Sequence, residues 1–490
     1  MFGITASNIF LYFLFPIAVF AISIYLLRSK EVTFGSYFFA NNSIHWFYLG
    51  VSFFTSSIIG PAIISFAYPS LGIIFLILYL LFSVIMLILY SRYLFPKLKS
   101  GNFNSIKGYF DNRFGKYAGF IVSGIFILSN ILRLLIVLST GSLIISQISG
   151  VEVVSSLLFF MIISGIYIIV GGIHADIYGD IIHTIVIIFG AAILCVGFTS
   201  SNNAGSINAN LLLNNIALND FYLLGVIFSI PIIAFGFWFS DYLIIQKSLC
   251  FNNTYKIKKS VFTAGFLQII PLLLFTFLLS SGIGSLESGT NVFFINEETP
   301  EAVKLILIMA ISAVIISSIS NLIITLSSII TLDFIKNISP ETSERKLVLA
   351  GRFSAISVLF ISIAIIPFSS VQNFSSVITL FGILSYIASF MAAFFIISFL
   401  SIKIKPIITN INTIIISILI IIRSLSDIKI ISIKIGLLDW FFNIDLFHFT
   451  LVIFLMSLSA FLFSAKADKT QSIDISVKEG FVSKKMANLK

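Results

Sequence analysis

Two stretches decide the fold: Thr55-Ser56-Ser57-Ile58-Ile59-Gly60-Pro61, and Ser229-Ile230-Pro231 leading into Phe235-Gly236-Phe237-Trp238-Phe239-Ser240-Asp241. Each lies in a long apolar segment and carries what a continuous helix resists. Proline removes a backbone donor, and glycine admits unusual backbone angles. At membrane depth such a break is tolerated only where protein or a water-filled cavity satisfies the freed backbone groups. Working outward by hydropathy, helices are expected at about 9–27, 46–68, 72–94, 117–147, 152–170, 179–199, 220–245, 260–283, 303–331, 347–368, 375–401, 406–424 and 446–465. The interrupted stretches fall in the second and seventh of these. They are the first members of two consecutive groups of five. Interrupted helices at matched positions of two halves are the sequence pattern of an inverted repeat that binds its cargo near the midplane. The expected fold class is therefore an all-α polytopic membrane protein of about 13 transmembrane helices with a five-plus-five inverted-repeat transporter core. Residues 1–30 form a first flanking helix, 31–401 the core, 402–465 two C-terminal flanking helices and 466–490 a cytoplasmic tail.

Composition supports the same class. The 490 residues are 58% hydrophobic and 10% charged, whereas an ordinary soluble domain is about a quarter charged. A soluble enzyme, a disordered chain and a nucleic-acid binder are excluded, and a lipid bilayer is the expected surrounding. The net charge of +9 has a topological origin. With the N-terminus outside, 23 of the 29 Lys and Arg, Lys247 among them, fall on the inner side and four outside. Short cytoplasmic loops accumulate such residues. The expectation is a multi-pass protein of the plasma membrane, here a bacterial inner membrane, with the C-terminus cytoplasmic. Ile9–Leu27 lacks a basic leader and a small-residue cleavage site, so it reads as a retained span. Cys195 and Cys250 form no disulfide framework, and no zinc or phosphate-loop motif occurs. The segment Leu425–Ile444 reads as an external amphipathic connection.

Polar residues within spans are the functional candidates. The ninth span holds Ser312, Ser317, Ser318, Ser320, Thr325, Ser327, Ser328 and Thr331. Most such hydroxyls bond back to their own helix or cement helix contacts. Ser317 and Ser318 are adjacent, and beside an unwound neighbour they could supply an all-oxygen site suited to Na⁺. Among ionisable groups, Arg133 lies mid-helix, Asp180 opens the sixth span and Asp241 sits in the broken seventh. Two readings of Arg133 stand side by side: a structural ion pair with Asp241 or Asp180, or a guanidinium fork that receives a substrate carboxylate.

At these residues the chain resembles the sodium/solute symporter family, from about residue 30 to 370. Ser36-Tyr37-Phe38-Phe39-Ala40 resembles the family's entry to its first broken helix, with Asn41 in place of the usual Gly. Gly171-Gly172-Ile173 through Tyr178-Gly179-Asp180-Ile181-Ile182-His183 is similar to its "GG…T-D-x-x-Q" segment, with Gly179 and His183 replacing Thr and Gln. Trp238 through Gln246-Lys247 resembles "W…Q-R", with Lys for Arg. Ser317-Ser318 followed by Ser327 through Asp333 resembles the ion-site helix and its "T-x-D" end, and Gly351-Arg352 the start of the next helix.

The resemblance implies a Na⁺ site at the Ser317 and Ser318 side chains with the carbonyls of Thr55, Ile58 and Val314. It implies sodium coupling through Asp180 from beside the ion. Family sugar carriers use a Gln in the broken second span and a Glu in the third. Here Ala62 stands at the first position and the third span has no carboxylate. Sialic-acid carriers of the family meet the substrate carboxylate with an Arg in the helix matching that of Arg133. The expected substrate-facing residues are Ser57, Arg133, Trp238 and Asp241, with Ser57 also at a position where some relatives carry Asp. Beyond residue 370 the match fades, with Tyr386 where the family has Pro. The expected activity is Na⁺-coupled import of a small carboxylate-bearing solute (an amino acid, sialic acid or other organic acid) by alternating access, with no enzymatic chemistry. The alternatives are a proton-coupled carrier, suggested by Asp180, Asp241 and His183, and a membrane sensor that moves nothing. The polar tail after Ala465, about 25 residues, is too short for an appended signalling domain.

Overall fold

The computed structural model describes residues 6–27, 32–57, 72–149 except 102 and 104, 153–200, 220–270 except 252, 301–365, 374–428 except 401 and 405, and 444–467 except 464. The helices are α1 (Ala6–Leu27), α2 (Phe34–Phe39), α3 (Trp46–Ser57), α4 (Gly72–Leu89), α5 (Phe95–Ser100), α6 (Ile106–Phe114), α7 (Lys116–Ser149) and α8 (Val153–Ser200). They continue as α9 (Asp220–Ala234), α10 (Tyr242–Ser248), α11 (Thr254–Leu267), α12 (Glu301–Ser328), α13 (Glu344–Ile365), α14 (Phe374–Phe399), α15 (Pro406–Asp427) and α16 (Leu446–Phe463). Among the described residues, eight helices are long and apolar enough to cross a membrane, and nine when one bent pair counts as a span. The expected second and eighth spans run into 58–71 and 271–300, outside the described residues. So do Ile58, Gly60, Pro61 and Ala62, most of the 425–444 connection and nearly all of the tail. One departure from an all-helical chain is a short antiparallel ribbon, β1 (Ile402–Ile404) with β2 (Ala465–Ala467), pairing Lys403 with Lys466.

The arrangement follows from which side chains must avoid lipid. On α15 the residues Ile407, Ile411, Ile414, Ile415, Ile418 and Ile421 are exposed, while Thr409, Thr413, Ile416, Ile420 and Arg423 are buried. That is one apolar stripe at helical spacing turned outward, with the hydroxyls turned in. The centre is α12, which packs along α8, α7, α13 and α1. Some of its hydroxyls bond back to their own helix, as with Ser312 to Ile308 O (2.7 Å) and Thr325 to Asn321 O (2.7 Å). Others reach outward, as with Ser327 to Gly351 O (2.7 Å). An aromatic seam joins α6 to α14 and α16, with Phe110 stacked on Phe394 at 5.0 Å and Phe394 against Phe461 at 5.2 Å.

The seventh span is broken as its sequence suggests. α9 contains Pro231 and ends in a π turn over Phe235–Phe239. The chain then bends by 41° into α10. The close approach of the π turn to α14 requires a glycine, because a Cβ at Gly236 would lie 2.3 Å from Ala388 O. After α2, the residues Ala40, Asn41 and Asn42 have φ of 49°, 51° and 54°. Asn41 is the position where the family has Gly, and asparagine tolerates this left-handed region better than most residues.

The connection between the fifth and sixth spans corrects the sequence reading. A loop was expected over 171–178, with the next helix starting at 179. Instead helix runs on either side of a single break at Gly172, where φ is 59° and ψ −145°. His174, Asp176 and Asp180 are thus all helical and buried. Their polarity reads as a loop, but each has a polar partner within the protein: Ser36 O for His174 Nδ1 and Lys247 for the two aspartates.

Only glycine adopts the Gly172 conformation readily, and a Cβ there would also lie 2.5 Å from Tyr37 O. Gly172→Ala is expected to lower stability by about 2 kcal/mol or more. Gly124→Ala, where a Cβ meets nothing within 4 Å, should leave it unchanged or slightly raised. Thermal unfolding of the two purified variants checks this, and equal midpoints would refute it.

Candidate functional site

The break between α9 and α10 builds the site. Asp241 is the N-cap of α10, its Oδ1 accepting from Leu243 N at 3.0 Å. A carboxylate here satisfies an orphan donor and meets the positive end of the helix. Its other oxygen, Oδ2, accepts from Arg133 Nη1 at 2.5 Å. The guanidinium also lies 5.1 Å from the Phe237 ring centroid. Of the two partners considered for Arg133, the structure pairs it with Asp241.

This pair forms part of the wall of a cavity of about 100 Å³ whose polar groups include Ser56, Arg133, Asp241, Ser318 and Asn321. Trp238 and Tyr79 line it as well, with ring centroids 6.5 Å apart. The sequence-predicted Arg133, Trp238 and Asp241 are therefore together. Ser57 is the last residue of α3, and its side chain lies outside the described residues. Tyr79, Asn321 and Phe237 were not anticipated. Their sequence signal is weak: Phe237 is one of several aromatics in 235–239, Tyr79 shares its span with Phe75, Phe82 and Tyr90, and Asn321 is one more polar residue in the hydroxyl-rich ninth span.

Beside the cavity lies a buried ionic cluster. Lys247 Nζ is 2.9 Å from Asp176 Oδ2 and 3.1 Å from Asp180 Oδ2, and all three side chains are fully enclosed. Lys247 also donates to Ser52 Oγ at 2.5 Å, to Ser56 Oγ at 3.4 Å and to Asn321 Oδ1. The opposite carboxylate oxygens are capped by α12: Ser317 donates to Asp180 Oδ1 at 2.5 Å, and Ser320 to Asp176 Oδ1 at 2.8 Å. Ser52 also donates to Asp180 Oδ2. Counting Lys247 among the cytoplasmic loop charges is thus corrected, because its ammonium is held inside the protein. Burial of a charge is costly unless it is paired and hydrogen-bonded. Two carboxylates one helical turn apart on α8 meet that requirement.

The adjacent hydroxyls of α12 have different neighbours. Ser317 is held by Asp180, while Ser318 Oγ is buried on the cavity side with no partner among the described residues. Thr55 is buried on α3, its hydroxyl given to Ser52 O at 3.1 Å, and Val314 is half-buried on α12. Ile58 lies outside the described residues. His183 is buried with no partner for either ring nitrogen among the described residues. The remaining motif residues fix helices to one another. Gln246 donates to Ser328 Oγ, Ser123 to Asp333 Oδ2 at 2.8 Å, and Cys250 is a free buried thiol.

Comparison with known proteins gives concordant matches. The sodium:solute symporter family matches residues 37–407. The chain is similar to sodium/myo-inositol cotransporter 2 of Rattus norvegicus, with 25% identity over 73% of this chain and 60% of that protein. It is also similar to sodium/glucose cotransporter 1 of Oryctolagus cuniculus, with 23% identity over 80% of this chain and 67% of that protein. The chain thus spans about 60% of the length of the myo-inositol cotransporters it matches. A solved structure described as the substrate-bound outward-open state of a Na⁺-coupled sialic acid symporter shares the fold. Its TM-score is 0.74 at 16% identity, over 95% of this chain and all of that one.

A double-mutant cycle with Arg133→Met and Asp241→Asn should give a coupling energy of about 1 to 2 kcal/mol, because the pair is mostly enclosed. Asparagine keeps the cap while removing the charge. Apparent unfolding of the four proteins measures the coupling, and simple additivity would show that the pair is not energetically linked.

Proposed function

The chain belongs to the sodium:solute symporter family, and on that premise we propose that it imports a small carboxylate-bearing solute together with Na⁺. One observation carries the reading: a guanidinium stands in the wall of a cavity at the break of a membrane helix. The relatives' names point to uncharged polyols and sugars, and the name attached to the structural neighbour points to an acid. Arg133 favours the acid. A carboxylate of the solute competes with Asp241 for the guanidinium fork, while Trp238, Tyr79 and Phe237 enclose its body. Amino acids, sialic acid and other organic acids fit this description.

Na⁺ is bound by the hydroxyls of Ser317 and Ser318 with the carbonyls of Thr55, Ile58 and Val314. A hydroxyl has one proton to donate and lone pairs to offer. Asp180 Oδ1 accepts the Ser317 hydroxyl at 2.5 Å and Asn321 Nδ2 donates to Ser317 Oγ at 3.3 Å, which leaves that oxygen one lone pair to offer a cation. Asp180 thereby acts on the ion through Ser317. Sodium draws α3 against α12, and residues 31–401 alternate between an outward and an inward opening as one group of helices rocks on the other. The protein sits in a bacterial plasma membrane, N-terminus outside and C-terminus cytoplasmic, with its core flanked by the helix of 1–30 and the helices of 402–465.

Proteoliposomes with an imposed Na⁺ gradient test this. Ser317→Ala with Ser318→Ala should abolish most Na⁺-driven uptake, and undiminished uptake would sink the site. Arg133→Lys should raise the half-saturating concentration of an acidic solute at least tenfold, since the bidentate fork is lost. A thermal-shift screen of acids against polyols, with and without Na⁺, supplies the solute. Uptake that persists without Na⁺ and collapses with the pH gradient would replace sodium by protons. The absence of solute exchange would favour a sensor.

A further inference from the structure

The surroundings of Lys247 resemble those of a metal ion more than those of a hydrogen-bond donor. An ammonium has three protons. Five side-chain oxygens converge on Nζ: Ser52 Oγ at 2.5 Å, Asp176 Oδ2 at 2.9 Å, Asp180 Oδ2 at 3.1 Å, Ser56 Oγ at 3.4 Å, and Asn321 Oδ1. They come from α3, α8 and α12, so the group is enclosed from three sides, and Lys247 itself enters on α10. The carboxylates are pre-oriented, because Ser320 and Ser317 hold the far oxygens and turn both Oδ2 atoms toward the cation, with Asp180 Oδ2 also accepting from Ser52. Like charges four residues apart on one helix repel. With both ionised, a positive charge between Asp176 and Asp180 makes the pair tolerable at this depth. Lysine presents a compact point charge on a flexible stem, the side chain closest to a monovalent ion.

We propose that Lys247 Nζ is a tethered cation filling a monovalent-cation site built from Ser52, Asp176, Asp180 and Asn321, so that the chain itself carries a charge a free ion would otherwise bring. This is separate from the Na⁺ position assigned to Ser317 and Ser318, although Asp180 and Asn321 border both regions. It rests on the sodium-coupled reading only for the identity of the ion that would enter. The tether has a functional consequence. A free ion is released on every cycle, whereas a tethered one returns with α10, so one fewer ion is spent for each solute moved.

Removing the ammonium should open the site. In purified protein at mildly alkaline pH, where protons compete weakly, saturating ²²Na⁺ binding is counted for the native chain, Lys247→Met and Lys247→Arg. Lys247→Met is expected to bind one more sodium per protein than the native chain and to gain more thermal stability from added Na⁺. Lys247→Arg, which keeps the charge, should gain none. Should Lys247→Met fail to fold, Lys247→Met with Asp176→Asn restores the native charge balance of the cluster and should still gain one ion, bound more weakly. An unchanged count in whichever variant folds overturns the proposal, as does a gain in Lys247→Arg. The sodium reading is judged separately by the native chain. A native protein that binds no sodium overturns that reading and leaves the comparison between variants intact.

Discussion

An ammonium enclosed in protein at membrane depth persists only when oxygen acceptors surround it, and Lys247 satisfies that requirement with groups from three helices besides its own. Much of the interior follows from this. Asp176 and Asp180 need the cation as much as it needs them, so α8 cannot leave α10 without exposing three charges to a medium that solvates none. Ser317 and Ser320 tie α12 to the same carboxylates. Ser52 and Ser56 tie in α3. α3 and α8 belong to the first group of five helices in the sequence pattern, α10 and α12 to the second. The cluster is therefore a polar lock between the two halves, in a region where apolar contacts alone offer little preference for one packing over another.

The lock and the cavity share walls. Ser56 and Asn321 line the cavity and also face Lys247. Ser317 and Ser318 are neighbours on one helix, the first bonded to Asp180 and the second facing the cavity. Two binding events on either side of such a shared wall are energetically linked whenever each changes the position of the same side chains, and the linkage is reciprocal. The contact here is direct, without a long chain of intermediaries. That is the arrangement a coupled carrier requires.

The parts legible in the sequence were those written in covalent exceptions. Pro231 and Gly236 announced the broken span because few other residues do what they do. Arg133 stood out as a charge mid-helix, and Ser317-Ser318 as paired hydroxyls. Gly172 was visible as a motif, although its role as the sole break in α8 was not. What stayed hidden depends on which way a residue faces. Lys247 follows a broken helix and precedes Lys256, Lys258 and Lys259, so a count of positive charge by loop placed it with them. Hydropathy averages over a window and cannot tell a solvated lysine from one paired in the interior. Asp176 was concealed by the same averaging, since glycines, a histidine and two aspartates in 171–180 read as a loop. Asn41 shows the reverse case. It departs from the family's glycine, yet its φ of 51° is one that asparagine accepts, so the residue present suits the left-handed turn.

α10 joins the two electrostatic features end to end. Its seven residues span roughly 10 Å, with Asp241 at the N-terminus and Lys247 in the last turn. Each charge sits at the end of the helix dipole that favours it. Asp241 divides its oxygens between two tasks, Oδ1 capping the helix and Oδ2 holding Arg133. A ligand carboxylate that took over the guanidinium would release Oδ2 while the cap remained, so α10 would keep its shape and lose a tether to α7. The far end of the same rigid element carries the ammonium. A small rotation there changes the distances to Asp176 and Asp180 directly, because seven residues of intact helix transmit motion without absorbing it. The break at Ser240 thus does more than open a cavity: it frees a short helix whose two ends read opposite charges.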